Sequence, residues 1–443
     1  VIEVTRDSSK IYRHLKEVAD GIRIIDTHEH LQQERERTSV RADLFQIFLS
    51  HYASSDLVSS GMLLEDLNKV RDPNLPLEER WKILEPFWTR IQNTGYARAI
   101  NIAAKDLYGI DGINKTTYKT LASRVEEANK LGLYDTVLKK KSGIDLSIWD
   151  GLSYPYDAGY IDKRFFVPVS RFEEFITARE RTNFESLGKQ CGRPIHSFSD
   201  LVESLEILFA KISNILVGVK IGLAYVRNLR FDKVSQAEAE RIFVNILKSK
   251  ALRDSSAGVV PEGVPMKDAK PLQNFMVHKI IQLATSKNLP IQIHTGFQEG
   301  NDNIITNSKP TQLINLFREY PEARFDIFHG SYPYIGELTT LAKNFRNVYI
   351  DMCWLHVISP SKAREALSDW LDAVPSNKIF GFGGDYLFVE GVYGHSVIAR
   401  ENIARVLTEK VEDGAYTMKQ AVQLAKRLLR ENAHDFFLSR TSA

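Results

Sequence analysis

The chain has 443 residues, 43% of them hydrophobic, with 58 basic and 56 acidic side chains and a formal net charge of +2. That length and apolar share support a large buried core, and so even a charge balance argues against nucleic acid or an acidic membrane surface as partner. Two cysteines, Cys191 and Cys353, exclude a disulfide framework and fit a reducing, cytoplasmic compartment.

The N-terminus, "VIEVTRDSSK", is polar and lacks the charged-then-apolar order of a signal peptide. It also lacks an initiating Met, so something is expected to have preceded Val1. No apolar run reaches the roughly 18 residues of a membrane helix. The first apolar run lies in "IRIIDTHEHL" and ends on Asp26, His28 and His30. More than a hundred mostly helical residues follow, about 33–140, among them "LPLEERWKILEPFWTRIQNTGYARAINIAAKDLYG". Then come "IDLSIWDG" (144–151), "RFFVPVSR" (164–171), "ILVGVKIG" (215–222), "LPIQIHTG" (289–296), "RFDIFHG" (324–330), "NVYIDMCW" (347–354) and "KIFGFGGD" (378–385). Amphipathic stretches such as "SKAREALSDWLDAV" lie between the later runs. Strands alternating with helices predict βαβ units and a parallel sheet. Eight of them predict an α/β fold, a distorted (β/α)8 TIM barrel with a helical insertion after strand 1; a doubly wound open sheet is the runner-up. One domain over 1–443 is expected, with a rim loop at about 225–275 and a capped helix pair in "TMKQAVQLAKRLLRENAHDFFLSR".

Residues i and i+2 of a strand share a side, so Ile24, Asp26, His28 and His30 are expected to face the barrel interior. Two imidazoles on one side at a strand's end can ligate one divalent ion. With 11 histidines in the chain, chance alone supplies roughly 0.3 His-x-His pairs, so the pair needs context. His294 ends the fifth apolar run, His329 the sixth and Asp385 the eighth. In a (β/α)8 barrel these ends converge on one face, where active sites are built. Three imidazoles and a carboxylate suit Zn²⁺, with Mn²⁺ or Fe²⁺ as alternatives, and leave Asp385 able to accept a proton. Each histidine taken singly also reads as an ordinary hydrogen-bonded residue.

"IIDTHEHL", "IQIHTG", "FHG", the late "GGD" and the terminal "RENAHDFFL", in that order, resemble the amidohydrolase superfamily, in the branch containing uronate isomerase and single-metal hydrolases and decarboxylases. The resemblance implies one divalent ion held by His28 and His30 with His294, Asp385 or both. It further implies His329 as a substrate-polarising or proton-handling group and Asp385 as general base. Lys220 ends strand 4, where binuclear relatives carry a carbamylated lysine; a catalytic or substrate contact and a plain rim lysine are the other readings. Arg171 sits where uronate isomerases bind a carboxylate, but it could equally pair with Glu173 or Glu174. Trp354 reads as a pocket wall or as a packed aromatic under a rim loop, and His356 and His395 as residues near the mouth. "GGDYLFVEG" lacks the arginine those isomerases carry beside the strand-8 aspartate, and they lack a histidine like His329. The expected activity is therefore a metal-dependent hydrolase acting on a C–N or C–O bond of a small, carboxylate-bearing substrate. Uronate isomerase-like aldose–ketose conversion and decarboxylation are the alternatives. Members of this branch are commonly oligomers, which makes a homo-oligomer an expectation of the resemblance.

Overall fold

The computed structural model describes residues 2–249 and 263–439. Its eight strands are β1 (Ile24–Glu29), β2 (Ile144–Leu152), β3 (Phe166–Arg171), β4 (Gly218–Ile221), β5 (Ile291–Ile293), β6 (Phe325–Ile327), β7 (Val348–Asp351) and β8 (Ile379–Phe380). They are all parallel and paired in chain order, the topology of a (β/α)8 TIM barrel. Each coincides with one of the apolar runs of the sequence. β8 is only two residues long, and the ring is completed by the segment after it. Thr27 N–H donates to Phe382 O at 3.1 Å, and Asp385 N–H donates to His28 O at 2.8 Å. The seam between first and last strands thus lies at the residues proposed to hold the ion.

One expectation for β1 fails. Its pairing register with β2 shifts between Ile24 and Ile25 and again between Asp26 and Glu29. Strict alternation therefore breaks down, and Ile25 rather than Ile24 joins Ile148, Val169 and Phe380 in a small apolar cluster. Phe436 and Phe437 of the tail complete that cluster. Arg324, just before β6, donates to Phe436 O, so the tail closes the N-terminal end of the barrel. Above this cluster Lys220, Gln292 and Asp326 stand in register on β4, β5 and β6. The amide of Gln292 donates to both Thr27 O and Asp326, which satisfies acceptors that no water reaches.

The segment between β1 and β2 is helical from Glu34 to Lys141, as its amphipathic pattern requires. It is anchored by close crossing of Gly95–Tyr108 against the long helix Val389–Glu412. A Cβ on Gly394 would strike the carbonyl of Ala99, a backbone atom that cannot rotate away. Gly394→Ala is expected to destabilise the protein by about 1–3 kcal/mol or more, measured as a lower denaturant midpoint at unchanged slope.

The expected rim loop at 225–275 is partly helix. Ser235 caps Gln236–Lys248 by accepting from Glu238 N–H, and Ala239, Ile242, Phe243 and Ile246 form its buried stripe. The helix Met266–Ser286 begins within the same stretch, while most of "SSAGVVPEGVP" lies outside the described residues. In the tail, Thr417 and Gln420 form a capping box on Met418–Lys426, and the continuation is π-helical at Arg427–Glu431 and His434–Leu438. Among the described residues no helix is long and apolar enough to cross a membrane.

Candidate metal centre at the barrel mouth

β1 brings two imidazoles to the seam. The Nε2 atoms of His28 and His30 lie 3.2 Å apart, and Asp385 Oδ1 is 3.2 Å from His30 Nε2 and 3.7 Å from His28 Nε2. Donor atoms at the corners of a polyhedron with arms of about 2.1 Å are separated by roughly 3.0–3.4 Å; two edges of this triangle fall in that range and the third, at 3.7 Å, is slightly longer. The other ring nitrogen of His30 faces the carbonyl of Asp150 at 3.2 Å. A proton on that nitrogen leaves the Nε2 lone pair free to ligate an ion, whereas a proton on Nε2 is donated to Asp385 Oδ1.

The other two histidines form a directional chain. His329 Nδ1 is 3.0 Å from the carbonyl of Cys353, so this nitrogen carries the proton and Nε2 carries the lone pair. His294 Nδ1 lies 3.0 Å from that Nε2 and donates to it. His294 Nε2 is then a lone pair, and it is buried with no hydrogen-bond partner. A buried, orphaned imidazole acceptor needs an explanation, and a ligand at the mouth would supply one. The ligand atoms of His28, His30 and Asp385 all lie within 4.8 Å of one another and can hold a divalent ion; His294 stands outside that group, its Nδ1 on His329.

Electrostatics agree. Burial, followed by the nearby Lys220 charge, pulls His28 well below its ordinary pKa. Burial likewise pulls down His294, reinforced by His329, and brings His329 to about 4. All three are neutral at pH 7 and available as ligands or acceptors. Burial pushes the Asp385 carboxyl up, but the hydrogen bond with His30 and the neighbouring imidazoles outweigh it and hold it well below the carboxylate range. Neutral imidazoles around an ionised carboxylate are set to receive a cation.

The turns that present these groups are strained. His329, Trp354 and Asp385, placed just beyond β6, β7 and β8, all have left-handed backbone, with φ of 61°, 64° and 56°. Such conformations persist in non-glycine residues only where surrounding contacts impose them. Around Asp385 the contacts are explicit: Asp26 accepts from Gly384 N–H at 2.9 Å, Glu29 accepts from Tyr386 N–H at 3.0 Å, and His395 Nδ1 meets Gly384 O at 3.1 Å. His356 holds the carbonyl of Gly381 in the same way. His356 and His395 thus sit beneath the mouth, completely buried, and position the loop carrying Asp385.

Lys220 is buried, with its ammonium 3.4 Å from the centroid of the Phe328 ring. Burial pulls its pKa down to about 8, against the attraction of Asp150. Arg171 is a third exposed and makes two hydrogen bonds to Asp150 Oδ2, at 2.8 and 2.6 Å, with Glu173 at 3.7 Å. Its principal partner is thus neither of the two glutamates weighed from the sequence. Trp354 is buried edge-on against His329 and parallel to Phe297 at 6.2 Å.

Three residues near the centre escape a reading by strand ends and histidine pairs. Asp150 lies 3.7 Å from His28 Nε2 as well as binding Arg171. Its signal was available, since "WDG" ends an apolar run just as "GGD" does. His51 and Tyr52 come from the helical insertion. His51 pairs with the Tyr96 hydroxyl at 3.3 Å and its ring lies 5.8 Å from that of Trp354, while Tyr52 packs on Trp354 and Phe297. Burial lowers His51 to about 4 and raises the Tyr52 hydroxyl well above its ordinary value.

The family model described as amidohydrolase matches residues 256–438. The protein fluG of Emericella nidulans is 29% identical over 228 residues, half of this chain and a quarter of that protein, so the chain spans only a small part of its relative. Among solved structures, the uronate isomerase of Thermotoga maritima superposes with a TM-score of 0.78 at 14% identity, covering 97% of both chains. The glucuronate isomerase of Caulobacter crescentus gives 0.76 at 16%, covering 97% of this chain and 94% of that one. A Lactobacillus casei protein assigned as a metal-dependent hydrolase gives 0.64 at 16%, covering 96% and 97%. At these identities the structural likeness speaks to fold.

Proposed function

Since the chain belongs to the amidohydrolase superfamily of metal-dependent enzymes, we propose that it is a hydrolase cleaving a C–N or C–O bond of a small, carboxylate-bearing substrate. The observation that carries this reading is the two-way presentation of Asp385. Its Oδ1 faces His28 and His30, while its Oδ2 lies 3.8 Å from His329 Nε2. One carboxylate thus touches both the ion-binding donors and a proton-handling imidazole.

His28, His30, His294 and Asp385 would hold one divalent ion, with zinc the first choice for this nitrogen-rich set and manganese or iron the others. When bound, such an ion lowers the pKa of water towards ~7 and polarises a carbonyl. Asp385, ionised and buried, accepts the proton of the attacking water at Oδ2. His329 has its Nδ1 proton committed to Cys353 O, so its Nε2 first serves as an acceptor; once protonated it becomes a donor that steadies a developing oxyanion or delivers the proton to the leaving atom. This sequence of roles combines the substrate-polarising and proton-handling parts expected of His329. Lys220 and Arg171 supply positive charge for a substrate carboxylate. Arg171 keeps Nε and one terminal nitrogen on Asp150, and the second terminal nitrogen, 3.7 Å from Glu173 Oε2, is the one left to meet substrate. Trp354 walls the site behind His329.

Full-length superposition on uronate isomerases favours aldose–ketose conversion as the second reading. Incubating the purified protein with a panel of uronates, lactones and N-acyl amino acids separates the two. Release of acid and amine or alcohol is expected; ketose formed from a uronate would sink the hydrolase reading.

A further inference from the structure

His28, Asp385 and His329 are closed off from solvent, whereas a quarter of the His30 side chain is exposed. What His30 faces is a cavity of about 460 Å³ between the chain segments that follow β1 and β2. Its walls include the rings of Trp149, Tyr154 and Tyr160. Trp149 is fixed by its indole N–H donating to Leu31 O at 2.8 Å. Glu36 and Asp157 also line it, and among the described lining residues there is no lysine or arginine. The adjoining groove holds Arg35, Lys163 and Arg164 beside Glu34 and Asp162, and Arg164 is committed to Asp162 at 2.7 Å and Asp135 at 3.2 Å. Glu36 accepts a hydrogen bond from the Tyr160 hydroxyl, and Asp157 accepts from Gly159 N–H at 2.8 Å; each carboxylate keeps acceptor capacity beyond that bond. Aromatic faces and two carboxylates at the mouth of a cavity suit an ammonium group by charge and by cation–π attraction, and disfavour an anion.

The positive groups of the centre, Lys220 and Arg171, are absent from this cavity's lining. The site therefore has a cationic region suited to a carboxylate and, opening on His30, an acidic and aromatic region suited to a cation. We propose that this cavity is the leaving-group subsite and takes an amine carrying an additional positive charge, a reading that rests on the hydrolase function above. The bond cleaved would then be an amide joining a carboxylate-bearing acyl part to that amine. Water adds its oxygen to the acyl carbon, the C–N bond breaks, and the water proton passes to the leaving nitrogen, so a carboxylic acid and a free amine result with no other reactant.

The test reads binding, independently of turnover. n-Butylammonium and its neutral counterpart 1-butanol are titrated into the full chain at low salt, using calorimetry or ligand-observed NMR. The ammonium is expected to bind at least about tenfold more tightly than the alcohol, and to lose affinity in 0.5 M salt. Glu36→Gln and Asp157→Asn keep the acceptor oxygens that serve Tyr160 and Gly159, so both fold, and each is expected to weaken the ammonium by about two- to fivefold. Equal binding of the two probes, or variants that bind like wild type, would overturn the cationic subsite even with hydrolysis intact. Ketose formation from a uronate would overturn the leaving-group assignment through its parent reading, while leaving the binding preference itself in place.

Discussion

Asp385→Asn is expected to lower kcat by about a thousandfold or more on whichever substrate the panel yields, with the fold intact. An amide keeps the shape of the carboxylate but not its charge, and it cannot take a proton from water. Loss of a positioned general base costs about 10²–10⁴ in rate. The same change removes an anionic donor from the triangle it forms with His28 and His30, so affinity for the ion should also fall by at least about tenfold. Two readouts separate these losses: kcat at saturating added metal, and metal affinity by competition with a chelator. A variant that keeps wild-type kcat when saturated with metal would remove Asp385 from the proton path.

His329→Gln is expected to separate chemistry from ion binding in the opposite way. His329 Nε2 faces Asp385 Oδ2 and His294 Nδ1 rather than the His28–His30 pair. Glutamine can offer one hydrogen bond in that space but cannot cycle a proton. A fall in kcat of about 10²–10³ is expected, with the ion retained at close to wild-type stoichiometry. Loss of the ion instead would make His329 a ligand and leave the proton-handling role without a residue.

Much of this centre was legible in the sequence because barrel strands are short apolar runs and their last residues share one face. His28, His30, His294, His329 and Asp385 each end such a run, and the fold links them in a chain of neighbours, His28–His30–Asp385–His329–His294, separated by 3.2, 3.2, 3.8 and 3.0 Å. Asp150 carried the same signal, but a lone acid at a strand end is common, and only its contacts with His28 and Arg171 reveal its place. His51 and Tyr52 were out of reach for a different reason. They lie in an amphipathic insertion whose pattern announces helices but not the direction in which those helices fold back, and it is tertiary packing against Trp354 that sets them over the mouth. The strict two-residue alternation also failed in β1, where register shifts beside His28 and His30 replace regular pleat with an irregular segment. That the tail closes the domain was legible, but the strands it packs on were not, since the adjacent Phe436 and Phe437 in a helical tail have no period that names their partners.

Elemental analysis of the purified protein, beside His28→Ala purified in the same way, decides whether the seam between β1 and the segment after β8 holds a divalent ion. About one transition-metal ion per folded wild-type chain is expected, and little or none in the folded variant. A wild-type protein that turns over substrate without metal, or a His28→Ala protein that retains a full equivalent, would rule out an ion held there.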